Sequence, residues 1–257
     1  MLSELVAAAH RRVPEVVARL DDLAAAAAAV PPARRFADAL ALPGLQIIAE
    51  IKRRSPSAGA ISADLDPQRL ARFYSAGGAA AMSVLTEPDY FGGSLQDLAT
   101  ARDAVDLPVL RKDFIVHASQ IWESRAAGAD ALLLVVAALE RSQLREFLSE
   151  AAAAGIAVLV EAHTENEAEV AVEAGARIVG VNNRDLSTFV TDLAVAEKLA
   201  PSLAEADVIK VAESGVSSPE GARRMAAAGY DAILVGEAAV RAADPASFVG
   251  SLLRAGR

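Results

Sequence analysis

The chain has no cysteine, three histidines, one tryptophan and only 4% aromatic residues. Without cysteine there are no disulfides, no thiolate nucleophile and no Cys-ligated zinc, and His10, His117 and His163 are too scattered for a His-rich metal site. No apolar run approaches the roughly 18 to 20 residues of a membrane span. The longest, Ala131 to Leu139 and Ala151 to Val160, read as core segments. A formal net charge of -9 offers no basic field to a nucleic-acid backbone or an anionic membrane surface, so neither is expected as a partner. Glu4 and Pro14 stand where a secretory leader would carry a basic and then an apolar stretch, so the expected location is the cytoplasm. The chemistry falls to Lys, Glu, Asp, Ser, Asn and Arg.

What the chain does have is repetition. Ala-rich stretches end in glycine at Ala76-Gly77-Gly78, Ala127-Gly128, Ala154-Gly155, Ala174-Gly175 and Ala228-Gly229, and a short run apolar on both parities follows each. Glycine past a helix end can take the left-handed conformation that turns the chain, and strands covered on both faces read as unbroken apolar runs. Helix starts are marked by Asp66-Pro67, Ser218-Pro219 and Asp244-Pro245, and Thr164 with Glu167 has the spacing of a capping box. Eight strands are expected: residues 47–52, 81–85, 109–112, 208–212 and 233–235, with three more centred near 133, 159 and 179. Eightfold alternation of strand and helix predicts an α/β fold, a single (β/α)8 TIM barrel over residues 45–257, with 1–44 as an N-terminal helical extension of the same domain. The structural alternative is an open doubly wound sheet, although no G-x-G-x-x-G follows the first strand.

In such a barrel the active site lies at the C-terminal ends of the strands. Period two puts Glu50 and Lys52 on one face with Ile48. Lys112, Glu161, Asn182 and Glu213 end four further strands. Each has a plain structural reading, with Glu50–Lys52 and Lys112–Glu161 as ion pairs; five strands converging on one mouth favour acid and base chemistry. The loops after the last two strands carry Glu213-Ser214-Gly215 and Gly236-Glu237, the place where these barrels hold phosphate through backbone N–H groups. The loop Arg53-Arg54-Ser55-Pro56-Ser57-Ala58-Gly59 is basic enough to clamp an anion, and Phe91 and Phe114 are placed to wall an aromatic ring. His117 and His163 read as structural, and Trp122 as helix packing.

The segment Ile47-Ile48-Ala49-Glu50-Ile51-Lys52-Arg53-Arg54-Ser55-Pro56-Ser57 closely resembles the signature of the indole-3-glycerol-phosphate synthase family. The likeness runs on through Leu85-Thr86-Glu87, Tyr90-Phe91-Gly92-Gly93-Ser94, Arg111-Lys112-Asp113-Phe114-Ile115, Val160-Glu161, Gly180-Val181-Asn182-Asn183-Arg184-Asp185-Leu186, Ala212-Glu213-Ser214-Gly215 and Leu234-Val235-Gly236-Glu237. The resemblance implies a carboxy-lyase of tryptophan biosynthesis. It would turn 1-(2-carboxyphenylamino)-1-deoxyribulose 5-phosphate into indole-3-glycerol phosphate by ring closure and loss of carbon dioxide and water, with no cofactor and no metal. It assigns Lys112 as general acid, Glu161 as acid or base for loss of the hydroxyl, and Lys52 and Glu50 as a charged pair facing the substrate anions. Which lysine serves which step stays open. Ser55, Pro56, Phe91, Phe114, Asn182, Arg184, Glu213 and Ser214 become substrate-binding positions, and Gly215, Gly236 and Glu237 the phosphate site. Some members carry Ser where this chain has Glu237, so only the backbone there is expected to bind phosphate. Lys52, Lys112, Arg184 and the glycine loops are expected to concentrate positive potential at the mouth of an acidic protein, acting as a monomer. Two other classes stay in play: a Schiff-base aldolase using Lys112, and a phosphate-binding scaffold without chemistry.

Overall fold

The structure is a computed structural model that describes residues 1–56, 59–62, 64–185, 188 and 190–257. Eight parallel strands close into a barrel: β1 Gln46–Ile51, β2 Ala81–Leu85, β3 Val109–Lys112, β4 Ala131–Val135, β5 Ala157–Ala162, β6 Ile178–Asn182, β7 Ile209–Glu213 and β8 Ala232–Val235. Each strand pairs with its neighbours in sequence, and β8 closes the ring against β1. Helices follow the strands and cover the barrel, so the closed alternative holds and the open sheet does not. The strand ends differ slightly from expectation. β1 stops at Ile51, leaving Lys52 just beyond it, and β5 runs one residue past Glu161 to Ala162, whereas β3, β6 and β7 end on Lys112, Asn182 and Glu213 as expected.

The period of two divides the apolar residues into two nested cores. Ile47, Ala49, Ile51, Val84, Leu132, Leu134, Val160, Val181 and Ile233 face outward against Leu98, Ile121, Leu144 and Phe147 of the covering helices. Ile48, Leu110, Leu133, Leu159, Ile178, Val211 and Leu234 fill the barrel interior. Small residues, Ala81, Ala131 and Ala232, open three of the strands, and the space they leave is occupied by Phe36 and Leu40.

Those two side chains belong to the N-terminal extension, whose helices are α1 Leu2–Val17, α2 Leu20–Ala29 and α3 Phe36–Leu40. α3 therefore plugs the floor, while α1 and α2 pack on the helix Ser119–Ala126. The Arg34 guanidinium gathers the carbonyls of Arg102, Val105 and Leu107, which fastens the extension to the barrel wall.

Asp66, Ser218 and Asp244 cap their helices as the sequence indicates. Thr164 does so too, but the capping box is only half formed. Its Glu167 carboxylate accepts from the backbone N–H of His163 rather than that of Thr164. Ser57, Ala58 and Leu186 lie outside the described residues.

Candidate active site

At the C-terminal mouth is a cavity of about 470 Å³. All fifteen residues singled out from the sequence line it: Glu50, Lys52, Ser55, Pro56, Phe91, Lys112, Phe114, Glu161, Asn182, Arg184, Glu213, Ser214, Gly215, Gly236 and Glu237. Their backbones come from seven of the eight strands or the loops that follow them. Two charged clusters share the space.

In the first, the Lys112 ammonium donates to Glu161 Oε2 at 2.8 Å and also to Glu213 Oε2. Burial alone would strip the proton from Lys112, but the carboxylates of Glu161, Glu213 and Glu50 outweigh it and hold the pKa well above the ordinary lysine value. Burial likewise opposes ionisation of Glu161. Lys112 and His163 overcome that, and its pKa falls to about 2. For Glu213 burial wins over the attraction of Lys112, with repulsion from Glu161 added, and its pKa is pushed up to about 7. Its Oε1 is buried with no donor in reach. One ammonium thus holds two unlike carboxyl groups, one ionised and one poised to carry a proton near neutrality.

In the second cluster Lys52 Nζ lies 2.8 Å from Glu50 Oε1, and Ser83 Oγ donates to Glu50 Oε2 at 3.4 Å. The β1–β8 register pairs Ala49 with Val235, so Gly236 comes next to Glu50. A Cβ at position 236 would lie 2.4 Å from Glu50 Oε1 and 3.1 Å from Lys52 Nζ. Gly236 is therefore needed to leave room for the charged pair, a role distinct from the phosphate contact expected of it.

The walls are set by groups just behind them. Glu87, fully buried, accepts from the backbone N–H groups of Asp89, Tyr90 and Phe91 and so orients the short helix Pro88–Phe91 that presents Phe91. Gly93 lies so close to β2 that a Cβ would meet the Leu85 carbonyl oxygen at 2.0 Å. Asp113 takes hydrogen bonds from Thr86 Oγ1, Arg111, the Phe114 backbone and both terminal nitrogens of Arg12. Burial would raise its pKa, but the two guanidiniums beside it hold the carboxyl below its ordinary range. Asn183 donates to the carbonyls of Glu213 and Ser214, tying β6 to β7. Ser214 itself has φ of 66°, a left-handed conformation rare for a residue with a side chain and common where a site fixes its backbone.

Two expectations need correction. The mouth is not a concentration of positive charge: Lys52, Lys112, Arg184 and Arg241 share the lining with Glu50, Glu87, Asp113, Glu161, Glu213 and Glu237. Anions would be held by directed donors rather than by a bulk field. Arg53 is no clamp, because its guanidinium is committed to Asp97 and the Leu65 carbonyl, and Arg54 reaches the carbonyls of Pro88 and Asp89. His163, read as structural, stands directly behind the Lys112 cluster. Its Nε2 faces Glu161 Oε1 at 3.4 Å and its Nδ1 meets Glu167 Oε2 at 3.3 Å. Period two along Leu159, Glu161 and His163 was the signal that placed it on the interior side. His117 and Trp122 are structural as read, bonding to Ser119 and Glu150.

The family model described as indole-3-glycerol phosphate synthase matches residues 2–252. The chain belongs to that family. Indole-3-glycerol phosphate synthase 1 of Streptomyces coelicolor is 48% identical over 258 residues, covering 100% of this chain and 96% of its own. The Mycobacterium avium relative of the same function is 50% identical over 94% of this chain and 89% of its own, and that of Desulfosudis oleivorans is 50% identical over 98% and 95%. A thiamine phosphate pyrophosphorylase from Pyrococcus furiosus shares the fold alone, at 18% identity and a TM-score of 0.62 over 82% of this chain and 95% of its own. The activity is that of a carboxy-lyase of tryptophan biosynthesis acting on a phosphorylated small molecule. No helix among the described residues is long and apolar enough to cross a membrane.

Proposed function

We propose that Lys112 is the general acid of ring closure and Glu161 the acid for loss of the hydroxyl. The observation that carries this reading is the Lys112 ammonium fixed between Glu161 and Glu213 in the cavity. The substrate's carboxyphenyl ring lies between Phe91 and Phe114, with Ser55 and Pro56 over it. Its carboxylate and hydroxyls meet Asn182, Arg184 and Ser214, and its phosphate meets the backbone at Gly215, Gly236 and Glu237. Lys52, held by Glu50, faces the anions.

The ring carbon that bears the carboxylate attacks the ketone carbon. The carbonyl π pair moves to oxygen, which takes a proton from Lys112. The bond to the carboxylate then breaks, its electron pair restores the aromatic ring, and carbon dioxide leaves. In the last step Glu161, free to take up a proton once Lys112 has given its own away, supplies it to the departing hydroxyl, and Lys112, now neutral, removes the carbon-bound proton that completes the indole. The raised pKa of Lys112 suits a donor that must arrive charged, and is the reverse of what a Schiff-base amine needs. Residues 1–257 act as one domain on this reading, because Leu5 of the extension reaches the cavity. The protein works as a cytoplasmic monomer, for which sedimentation is the check.

Indole fluorescence measures the product directly. Lys112→Ala is expected to lose on the order of a thousandfold in kcat, the usual worth of a positioned acid with its charge. Full activity in that variant would sink the assignment.

A further inference from the structure

Overall the reaction takes up one proton. The carboxylate leaves as neutral carbon dioxide, Lys112 gives one proton and recovers one, and the proton that departs with the hydroxyl as water must come from solvent by way of Glu161. This balance rests on the roles proposed above.

Glu161 is 4% exposed, and its two oxygens face different partners. Oε2 accepts from Lys112 at 2.8 Å, and Oε1 lies 3.4 Å from His163 Nε2. That nitrogen is buried and makes no hydrogen bond, and His163 is not among the residues lining the cavity. The other ring nitrogen meets Glu167 Oε2 at 3.3 Å, and Glu167 retains 21% of its side-chain exposure. Glu167 is fixed in place by accepting the His163 backbone N–H at 2.8 Å. A line of groups therefore runs from solvent to Glu161 behind the cavity wall; Glu161 and His163 each use a different atom for each neighbour, while Glu167 Oε2 meets both the backbone N–H and the ring Nδ1 of His163. Closing the Nε2 contact to a hydrogen bond needs a shift of only a few tenths of an ångström.

We propose that Glu167 and His163 form the route by which the solvent proton reaches Glu161 for loss of the hydroxyl, with His163 acting through Glu161 and not on the substrate. Once Lys112 has lost its proton, and with it the charge that held Glu161 ionised, the imidazolium passes its Nε2 proton to Glu161 Oε1, and Glu161 passes a proton to the leaving hydroxyl. The neutral ring, left with its proton on Nδ1, then turns or shifts that proton to the Glu161 side, and Glu167 hands a solvent proton to the bare nitrogen now facing it, which restores the imidazolium. Burial disfavours a charged His163, but Glu167, Glu161 and Glu213 outweigh it and raise its pKa, which keeps the donor form populated near neutrality.

The test separates the two halves of the reaction in His163→Gln, which keeps an amide beside Glu161 but cannot relay a proton. Carbon dioxide release in the first turnover is expected within about threefold of the unaltered enzyme, while indole fluorescence lags it by at least about tenfold and is partly restored by imidazole in the buffer. Should His163→Gln fold poorly, Glu167→Gln is expected to show a weaker version of the same lag. Carbon dioxide and indole released together, or a kcat within twofold of the unaltered enzyme, would overturn the relay. Lys112→Ala run in parallel distinguishes the failures: if it is inactive while His163→Gln is unaffected, only the relay falls, whereas a fully active Lys112→Ala removes the reading beneath it.

Discussion

At the scale of single residues, the site depends on giving like side chains unlike environments. Glu161 and Glu213 both meet the same ammonium, yet the pKa of one falls to about 2 and that of the other rises to about 7. The difference has a stability consequence whose sign is fixed. A carboxyl raised from its unfolded value near 4.5 to about 7 contributes stability that is complete below pH 4.5 and lost as pH climbs through 7. Glu213→Gln cannot ionise and so is expected to melt several degrees above the unaltered protein at pH 8.5, the advantage vanishing toward pH 5, while its activity falls. Calorimetry across that range checks it, and a pH-independent difference in Tm would show that Glu213 is ionised throughout. Glu161 works in the opposite sense: its lowered pKa contributes stability above about 4.5 that disappears as pH falls toward 2.

At the scale of elements, the strands deliver the charges and the segments behind them fix the angle of delivery. Gly236 opens the helix Glu237–Arg241 and leaves room for Glu50 and Lys52 at once. Gly236→Ala is expected to displace that pair, lowering kcat/KM by at least about tenfold while Tm shifts by only a few degrees, since misplacement of about 1 Å is enough for such losses. Steady-state kinetics beside a thermal melt would decide it, and unchanged kcat/KM would mean the pair can move aside freely. Strand-borne features were legible in the sequence because alternation assigns a side to every residue. Glu50, Lys52, Lys112, Glu161 and Glu213 all point inward as that rule requires. Contacts between segments far apart in the chain had no such rule. Nothing at Arg12 announces a bond to Asp113, and nothing in Ala81, Ala131 and Ala232 announces that Phe36 will fill the space they leave at the barrel floor. Arg53 misled for a related reason: a basic loop suggests an anion until Asp97, from a later helix, claims the guanidinium.

At the scale of the whole molecule, acidity and anion recognition coexist because recognition is local. Every lysine in the cavity is matched by a carboxylate, so the -9 formal charge never has to be reversed over a large area. The matching depends on closure of the ring, since Glu50 and Lys52 come from its first strand and Gly236 follows its last. A chain that has formed most of its helices but not yet joined β8 to β1 leaves that charged pair hydrated and unplaced. Contacts between the two ends of a sequence are the slowest to form, because their loop entropy must be met before they stabilise anything. On refolding from urea, recovery of activity is therefore expected to trail the far-UV helical signal, and equal rate constants for the two would count against it. The seam between the first and last strands acts as a proofreading joint: an incomplete ring has helices and a half-built mouth, but no turnover.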